Sequence, residues 1–241
     1  MLDGRYPMPA LEQGIPCSDA AATVFAVGSS VSAFKEGDYV TPSFHLDFVT
    51  GNQRNAPRLS LGGGVDGVLR ECAVFEQKVL TKVPAHLSYE EASTIACAGV
   101  TAWTALNLDK KSLVESALMQ GTGGVSLFAT ILCHAAGITP IITSSSDVKL
   151  ETVRALGSEE HPVLGINYRK HPDWAAEAQK LTRDVGVDVV VNNVGITAME
   201  QSFAALCPRG GTISLVRFLG GASEKMPDCV MLAMMKGART Q

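Results

Sequence analysis

The 241-residue chain predicts an α/β fold, a doubly wound parallel sheet preceded by a smaller region rich in turns and short strands. Two observations carry this. An apolar run at 116–120 (SALMQ) breaks into the glycine cluster GTGGVS at 121–126 and continues as the helix-like LFATILCHAAG. Beyond it, β-branched runs alternate with segments of helical spacing, and strands separated by single helices pair in parallel.

The elements follow in order. Before residue 84, the turns KEGDYV and GGGVDG separate short apolar stretches, as in an antiparallel barrel. Ser88 with Glu91 forms a capping box that opens the helix YEEASTIACAG, so the domain boundary is set near Pro84 to Tyr89, giving domains 1–87 and 88–241. SALMQ is the first strand of the sheet and 138–143 (ITPIIT) the next. A helix over 148–156 ends at Gly157, and 163–168 (VLGINY) is a strand. A polar helix around Trp174 to Asp184, the strand 187–191 (VDVVV), a helix around 198–206 and a strand at 211–216 complete the alternation. The nearly unbroken apolar character of VDVVV fits burial on both faces.

The glycine cluster carries the chemistry. A strand that turns on glycines into a helix presents free backbone N–H groups and the positive end of a helix dipole, which suits a pyrophosphate. Gly121 makes the tight turn and Gly123 lets the backbone approach the phosphates, with Thr122, Gly124 and Val125 between and after them. The third slot of GxGxxG holds Ser126, whose small hydroxyl side chain predicts that the helix still packs closely on the strand, with slight loosening or a capping hydrogen bond. A plain glycine-rich loop is the alternative for the turn alone; the alternation around it makes a Rossmann dinucleotide site.

Cofactor choice is read at the tip of the second strand. NAD sites place an acid there for the ribose 2′-OH, whereas NADP sites supply donors and cations for the 2′-phosphate. The tip reads Thr143, Ser144, Ser145, Ser146, Asp147, Val148, Lys149. Asp147 is read as the N-cap of the next helix. Ser144, Ser145 and Lys149 therefore favour NADP(H) over NAD(H), with an ordinary serine-rich turn as the alternative for the hydroxyls taken alone.

The blocks 27–40 (VGSSVSAFKEGDYV), 67–106 (GVLRECAVFEQKVLTKVPAHLSYEEASTIACAGVTAWTAL), GTGGVS, 165–169 (GINYR) and 187–195 (VDVVVNNVG) stand in the order found in the medium-chain dehydrogenase/reductase superfamily. The chain resembles that superfamily along nearly its whole length, most of all its zinc-type alcohol-dehydrogenase-like and quinone-oxidoreductase-like members. The resemblance implies that residues 1–87 are an incomplete GroES-like β-barrel domain and that Lys149 and Tyr168 line the 2′-phosphate pocket. Thr101, after the Cys97 block, is a candidate donor to the nicotinamide ribose or phosphate. Asn192 and Asn193 end VDVVV near the cofactor, and Phe218 follows the next strand. No catalytic acid is identified; Asp19 matches a position that is acidic in many relatives and lies close to their active site, and it reads equally as a loop-end charge or cap.

The resemblance also implies how metal is handled. Zinc-dependent members use the His of a P-G-H-E block, and the matching Pro16, Cys17, Ser18, Asp19 has a serine there. Cys97 matches a second ligand, but one thiolate does not make a zinc site, and it reads more simply as a small buried hydrophobe. The six cysteines include no CxxC pair, so the structural zinc loop is absent. No zinc is expected, which suits hydride transfer to a carbonyl, quinone or activated C=C better than oxidation of an unactivated alcohol. A zinc-type alcohol dehydrogenase and a non-catalytic nucleotide-binding remnant are the competing readings. Met1 falls within an internal block of the family, and 230–236 (VMLAMMK) resembles the helix before the sheet's last strand, with the sequence ending at Gln241; the first barrel strands, the last strand of the sheet and the closing C-terminal segment are therefore expected to be missing and turnover to suffer.

Composition narrows the partners. A net charge of −4 gives no footprint for nucleic acid, and apolar runs are too short for a membrane span. Cysteines without framework spacing fit a reducing compartment, so a cytoplasmic enzyme acting on a small molecule is expected, with self-association through uncovered apolar surface. In the loop 47–64, Arg54 and Arg58 read as surface charges that can also meet an anionic substrate, and the five histidines show no ligand spacing.

Overall fold

The computed structural model describes residues 11–48, 59–108, 114–208, 210–217, 219–221 and 227–241. The chain divides into two compact units, Met1–Val100 and Thr101–Gln241. The capped helix expected to open the second domain thus falls in the first.

In the first unit, β1 (Ala22–Thr23), β2 (Tyr39–Pro42) and β3 (Leu80–Lys82) form an antiparallel sheet in that order. Helix α1 (Tyr89–Ser93) starts as its sequence dictates: Ser88 Oγ accepts from Glu91 N at 3.2 Å, and Glu91 Oε2 accepts from Ser88 N at 2.8 Å. A π-helical stretch, Ile95–Gly99, leads into α2 (Val100–Leu106).

The second unit carries β4 (Ser116–Gln120), α3 (Gly124–Ala135), β5 (Thr139–Ser144), α4 (Asp147–Arg154), β6 (Leu164–Asn167) and α5 (Trp174–Leu181). There follow β7 (Val189–Asn192), α6 (Met199–Ala205), β8 (Thr212–Leu215), α7 (Cys229–Lys236) and β9 (Arg239–Thr240). The strands run parallel in the order β6-β5-β4-β7-β8-β9. The chain therefore winds outward from β4 to β6, returns to β4's other side and winds outward again. The reversal leaves a crevice at the carboxyl ends of β4 and β7, where doubly wound sheets hold ligands.

Each sequence-predicted strand and helix of this unit is present, with β4 as predicted and the other ends shifted by at most three residues. One expectation is corrected. The sheet was expected to lack its last strand, yet Arg239 and Thr240 pair in parallel with Thr212 and Ile213 as a short sixth strand. The Gln241 side-chain Nε2 donates to Ser214 Oγ at 2.9 Å beside it.

Central strands bury both faces. Leu118, Ile141, Val190 and Ile213 are fully buried with Phe203 and Leu206. At roughly 1.5–3 kcal/mol per buried aliphatic side chain, these strands are the rigid scaffold from which the carboxyl-end loops project. The polar residue in VDVVV sets the register: Asp188 Oδ2 accepts from Glu115 N (2.8 Å) and Ser116 N (3.0 Å), pinning the entry of β4 to that of β7.

Candidate functional site

The glycine turn between β4 and α3 is the centre of the candidate site. Gly121 adopts φ +81°, a left-handed conformation that side chains rarely tolerate. Gly123 is the N-cap of α3 and lies exposed, and a Cβ built there meets no atom within 4 Å. The first helical hydrogen bond runs from Leu127 N to Gly123 O, so the N–H groups of Gly124, Val125 and Ser126 have no intrahelical acceptor. The turn thus offers orphan donors, a helix dipole and open space in front of them, the requirements of a bound anion.

Ser126 in the third slot is almost fully buried and does not cap the helix. Its hydroxyl donates backward to Gln120 O at 3.2 Å and accepts from Asn193 Nδ2 at 3.1 Å; the same amide donates to Gln120 O at 3.2 Å. The hydroxyl therefore ties helix to strand. Asn193 Oδ1 is buried without a partner.

Asn192 and Asn193 both lie at the end of β7, but their amides are occupied in different places. Asn192 Oδ1 accepts from Val194 N (3.0 Å) and Gly195 N (2.7 Å), shaping the turn after β7. Its Nδ2 reaches Ser202 Oγ at 3.4 Å, where Gln120 Nε2 also donates at 2.9 Å. Gln120 and Ser202, which sequence reasoning passed over, thereby link the ends of β4 and β7 to α6. The signal was a polar residue closing an apolar strand, since a buried polar group must find partners.

The serine-rich tip joins the turn through Thr143, whose Oγ1 accepts from Gly121 N at 3.2 Å. Ser144 ends β5, buried, its Oγ accepting from Ser146 N at 3.3 Å. Its carbonyl accepts from Tyr168 N at 3.0 Å, which brings the ends of β5 and β6 together. Ser145 is half-buried, Tyr168 is exposed at the end of β6, and Lys149 is exposed in the first turn of α4 with no ion-pair partner among the described residues.

Asp147 requires a correction. The N-cap of α4 is Ser146, which makes no side-chain cap bond, and Asp147 is the first helical residue. Its carboxylate turns toward β6: Oδ1 accepts from Asn167 Nδ2 at 2.7 Å and Oδ2 pairs with Lys170 Nζ at 2.7 Å. The Asn167 amide beside it, with Lys170 next, holds the Asp147 carboxyl below its ordinary range. Asn167 and Lys170 were not singled out from sequence. Beside them a cavity of about 250 Å³ opens between α4, β6 and α5, lined by Leu150, Arg154, Glu177 and Leu181 among others. It is separate from the glycine turn.

Other predicted residues stand apart. Thr101 lies on α2, half-buried, and shares no hydrogen bond with this network. Arg54, Arg58 and Phe218 fall outside the described residues. In the first unit Asp19 accepts from Ser18 Oγ at 2.8 Å. Cys97, expected to be buried, is half-buried. Among the described residues no group of three His, Cys, Asp or Glu side chains is placed to hold a metal ion, and no helix is long and apolar enough to cross a membrane.

Comparison with known proteins agrees with this architecture. Residues 124–239 match the family described as Zinc-binding dehydrogenase and residues 1–85 that described as Alcohol dehydrogenase GroES-like domain. A zinc-type alcohol dehydrogenase-like protein of Schizosaccharomyces pombe is 39% identical over 225 residues, covering 92% of this chain and 63% of its own. A Sinorhizobium meliloti structure assigned as an alcohol dehydrogenase superposes with a TM-score of 0.81 at 35% identity, covering 98% of this chain and 69% of that one. A quinone oxidoreductase structure from Pseudomonas syringae gives 0.74 at 26% identity, covering 99% and 66%. The chain thus spans a little under two thirds of the length of the S. pombe relative.

Proposed function

We propose that this chain, which belongs to the medium-chain dehydrogenase/reductase superfamily, binds NADP(H) and transfers hydride between the nicotinamide and a carbonyl, quinone or activated C=C substrate without zinc. The carrying observation is the continuity of Gly121, Thr143 and the serine tip: one hydrogen bond joins an anion-binding turn to a cluster of hydroxyls beside an unpaired lysine. The first N–H groups of α3 suit the pyrophosphate, and Ser145, Lys149 and Tyr168 suit a 2′-phosphate.

When bound, the nicotinamide supplies the hydride chemistry. The chain's own part is positioning. Ser126 and Asn193 hold the last carbonyl of β4, fixing the turn under the phosphates, while Asn192 shapes the loop after β7. Zinc fits poorly, because Ser18 offers a neutral hydroxyl where an imidazole ligand would stand and the other described donors do not converge. The name of the S. pombe relative favours a second reading, a zinc-type alcohol dehydrogenase. Cysteine usage supports a reducing, cytoplasmic setting.

Titration of the purified chain with NADPH and NADH, read by nicotinamide fluorescence, tests the cofactor assignment. Tighter binding of NADPH is the expected result, and equal or tighter binding of NADH overturns it.

A further inference from the structure

We infer that Lys170 and Asn167 form a clamp that holds and neutralises the Asp147 carboxylate beside the cofactor tip, making Lys170 a positioning residue for selection of the 2′-phosphate. The inference rests on the NADP(H) reading above. Asp147 lies within the tip itself, two residues from Ser145 and two from Lys149, so its charge opposes any phosphate held there. The end of the strand itself, where an NAD site carries its ribose-binding acid, is Ser144, so Asp147 is the nearest carboxylate to that place in sequence. The structure gives it other partners.

The clamp has a buried half and an exposed half. Asn167 is 7% exposed, and its Oδ1 accepts from Arg169 N at 3.0 Å, which fixes the amide so that Nδ2 points at Asp147. That geometry orients the carboxylate toward β6. Lys170 supplies the neutralising charge, its side chain 64% exposed and that of Asp147 50%. An ion pair so open to water contributes little to folding. Its consequence lies instead in what the carboxylate presents to a dianionic group nearby. The depressed carboxyl pKa agrees with this arrangement, since Asp147 stays charged and paired throughout the neutral range.

Binding measurements on wild type, Lys170→Met, Asp147→Asn and the double variant decide the matter. Lys170→Met is expected to lower the NADPH:NADH affinity ratio about fivefold, because the unpaired Asp147 then repels the phosphate and can accept from a ribose hydroxyl. In the Asp147→Asn background the same Lys170→Met change is expected to leave the ratio within about twofold. An unchanged ratio in Lys170→Met overturns the clamp. An equal loss with and without Asp147 also overturns it, since Lys170 would then contact the phosphate itself. Wild-type preference for NADH would refute the parent reading alone; the clamp would still be judged by whether Lys170→Met moves the ratio and Asp147→Asn cancels the move. Unchanged melting temperatures in all four proteins separate this role from a structural one.

Discussion

Asn193 and Ser126 lie 67 residues apart in sequence, yet the Asn193 amide donates to the Ser126 hydroxyl across 3.1 Å. Both groups converge on Gln120 O, the last carbonyl of the strand that feeds the glycine turn. A third glycine would let helix and strand approach closely; here a hydroxyl instead links them, bonding to the strand's last carbonyl and to the Asn193 amide.

Replacing Ser126 with glycine therefore destabilises the protein even though it completes the GxGxxG pattern. The change removes one buried hydrogen-bonding group and adds backbone freedom to a helix, each worth about 1 kcal/mol. Urea unfolding is expected to show a loss of about 2 kcal/mol, and about 1 kcal/mol for Ser126→Ala. A glycine variant as stable as wild type would mean that the network contributes nothing.

Lys149→Ala is expected to weaken NADPH roughly tenfold and NADH much less, because only NADPH carries the group that a lone exposed cation would meet. High salt should reduce the difference in the wild type. Equal losses for the two cofactors would remove Lys149 from the phosphate pocket.

The glycine turn, the capping box and the alternation of the sheet were legible because each depends on local pattern: glycine conformation, a cap at fixed spacing, burial on two faces. The partners of Asp147 were not. Its spacing before a helix suggested a cap, but its hydrogen-bond partner lies 20 residues away on the neighbouring strand, and only the register of β5 on β6 brings Asn167 beside Ser144. Gln120 and Ser202, separated by 82 residues, were hidden for the same reason. The two-residue strand β9 is too short to carry a periodic signal.

Acid should weaken the fold in a defined sense. The Asp147 carboxyl is held low by Asn167 and then Lys170, that of Asp38 by Lys82, and that of Glu177 by Lys180. A carboxyl depressed in the folded state contributes stability that is fully present above its unfolded pKa and lost as pH falls through the folded value. Denaturation midpoints are expected to be flat near neutrality and to fall below about pH 4. All three carboxylates pair with lysines exposed to water, so the fall is expected to be gradual and Asp147→Asn alone to change it little; midpoints that rise as pH falls below about 4 would contradict the pairings.

Thiol accessibility separates the cysteines. Burial pushes the Cys133 thiol up to about 12, so it stays protonated and inert at pH 8. Cys17 and Cys72 are exposed. Alkylation of the native protein followed by peptide mapping should modify these two first and reach Cys133 only after unfolding. Rapid labelling of Cys133 would mean that α3 opens readily.

Elemental analysis is expected to find no stoichiometric zinc in protein purified without chelator. One tightly bound zinc per chain, lost on Cys97→Ala, would favour the alcohol dehydrogenase alternative.

The pairing of β4 with β7 has a kinetic consequence. Asp188 reaches back 72 residues to Ser116, whereas β5 docks on β4 after a single helix. Closing the longer loop comes at greater entropic cost, so the first half of the sheet can assemble while the second is still unformed. The carbonyl of Gln120 gains its Asn193 donor only at that late stage. During refolding, nucleotide affinity should accordingly lag behind the recovery of helical signal, and the anion-binding turn would be among the last features of the molecule to mature.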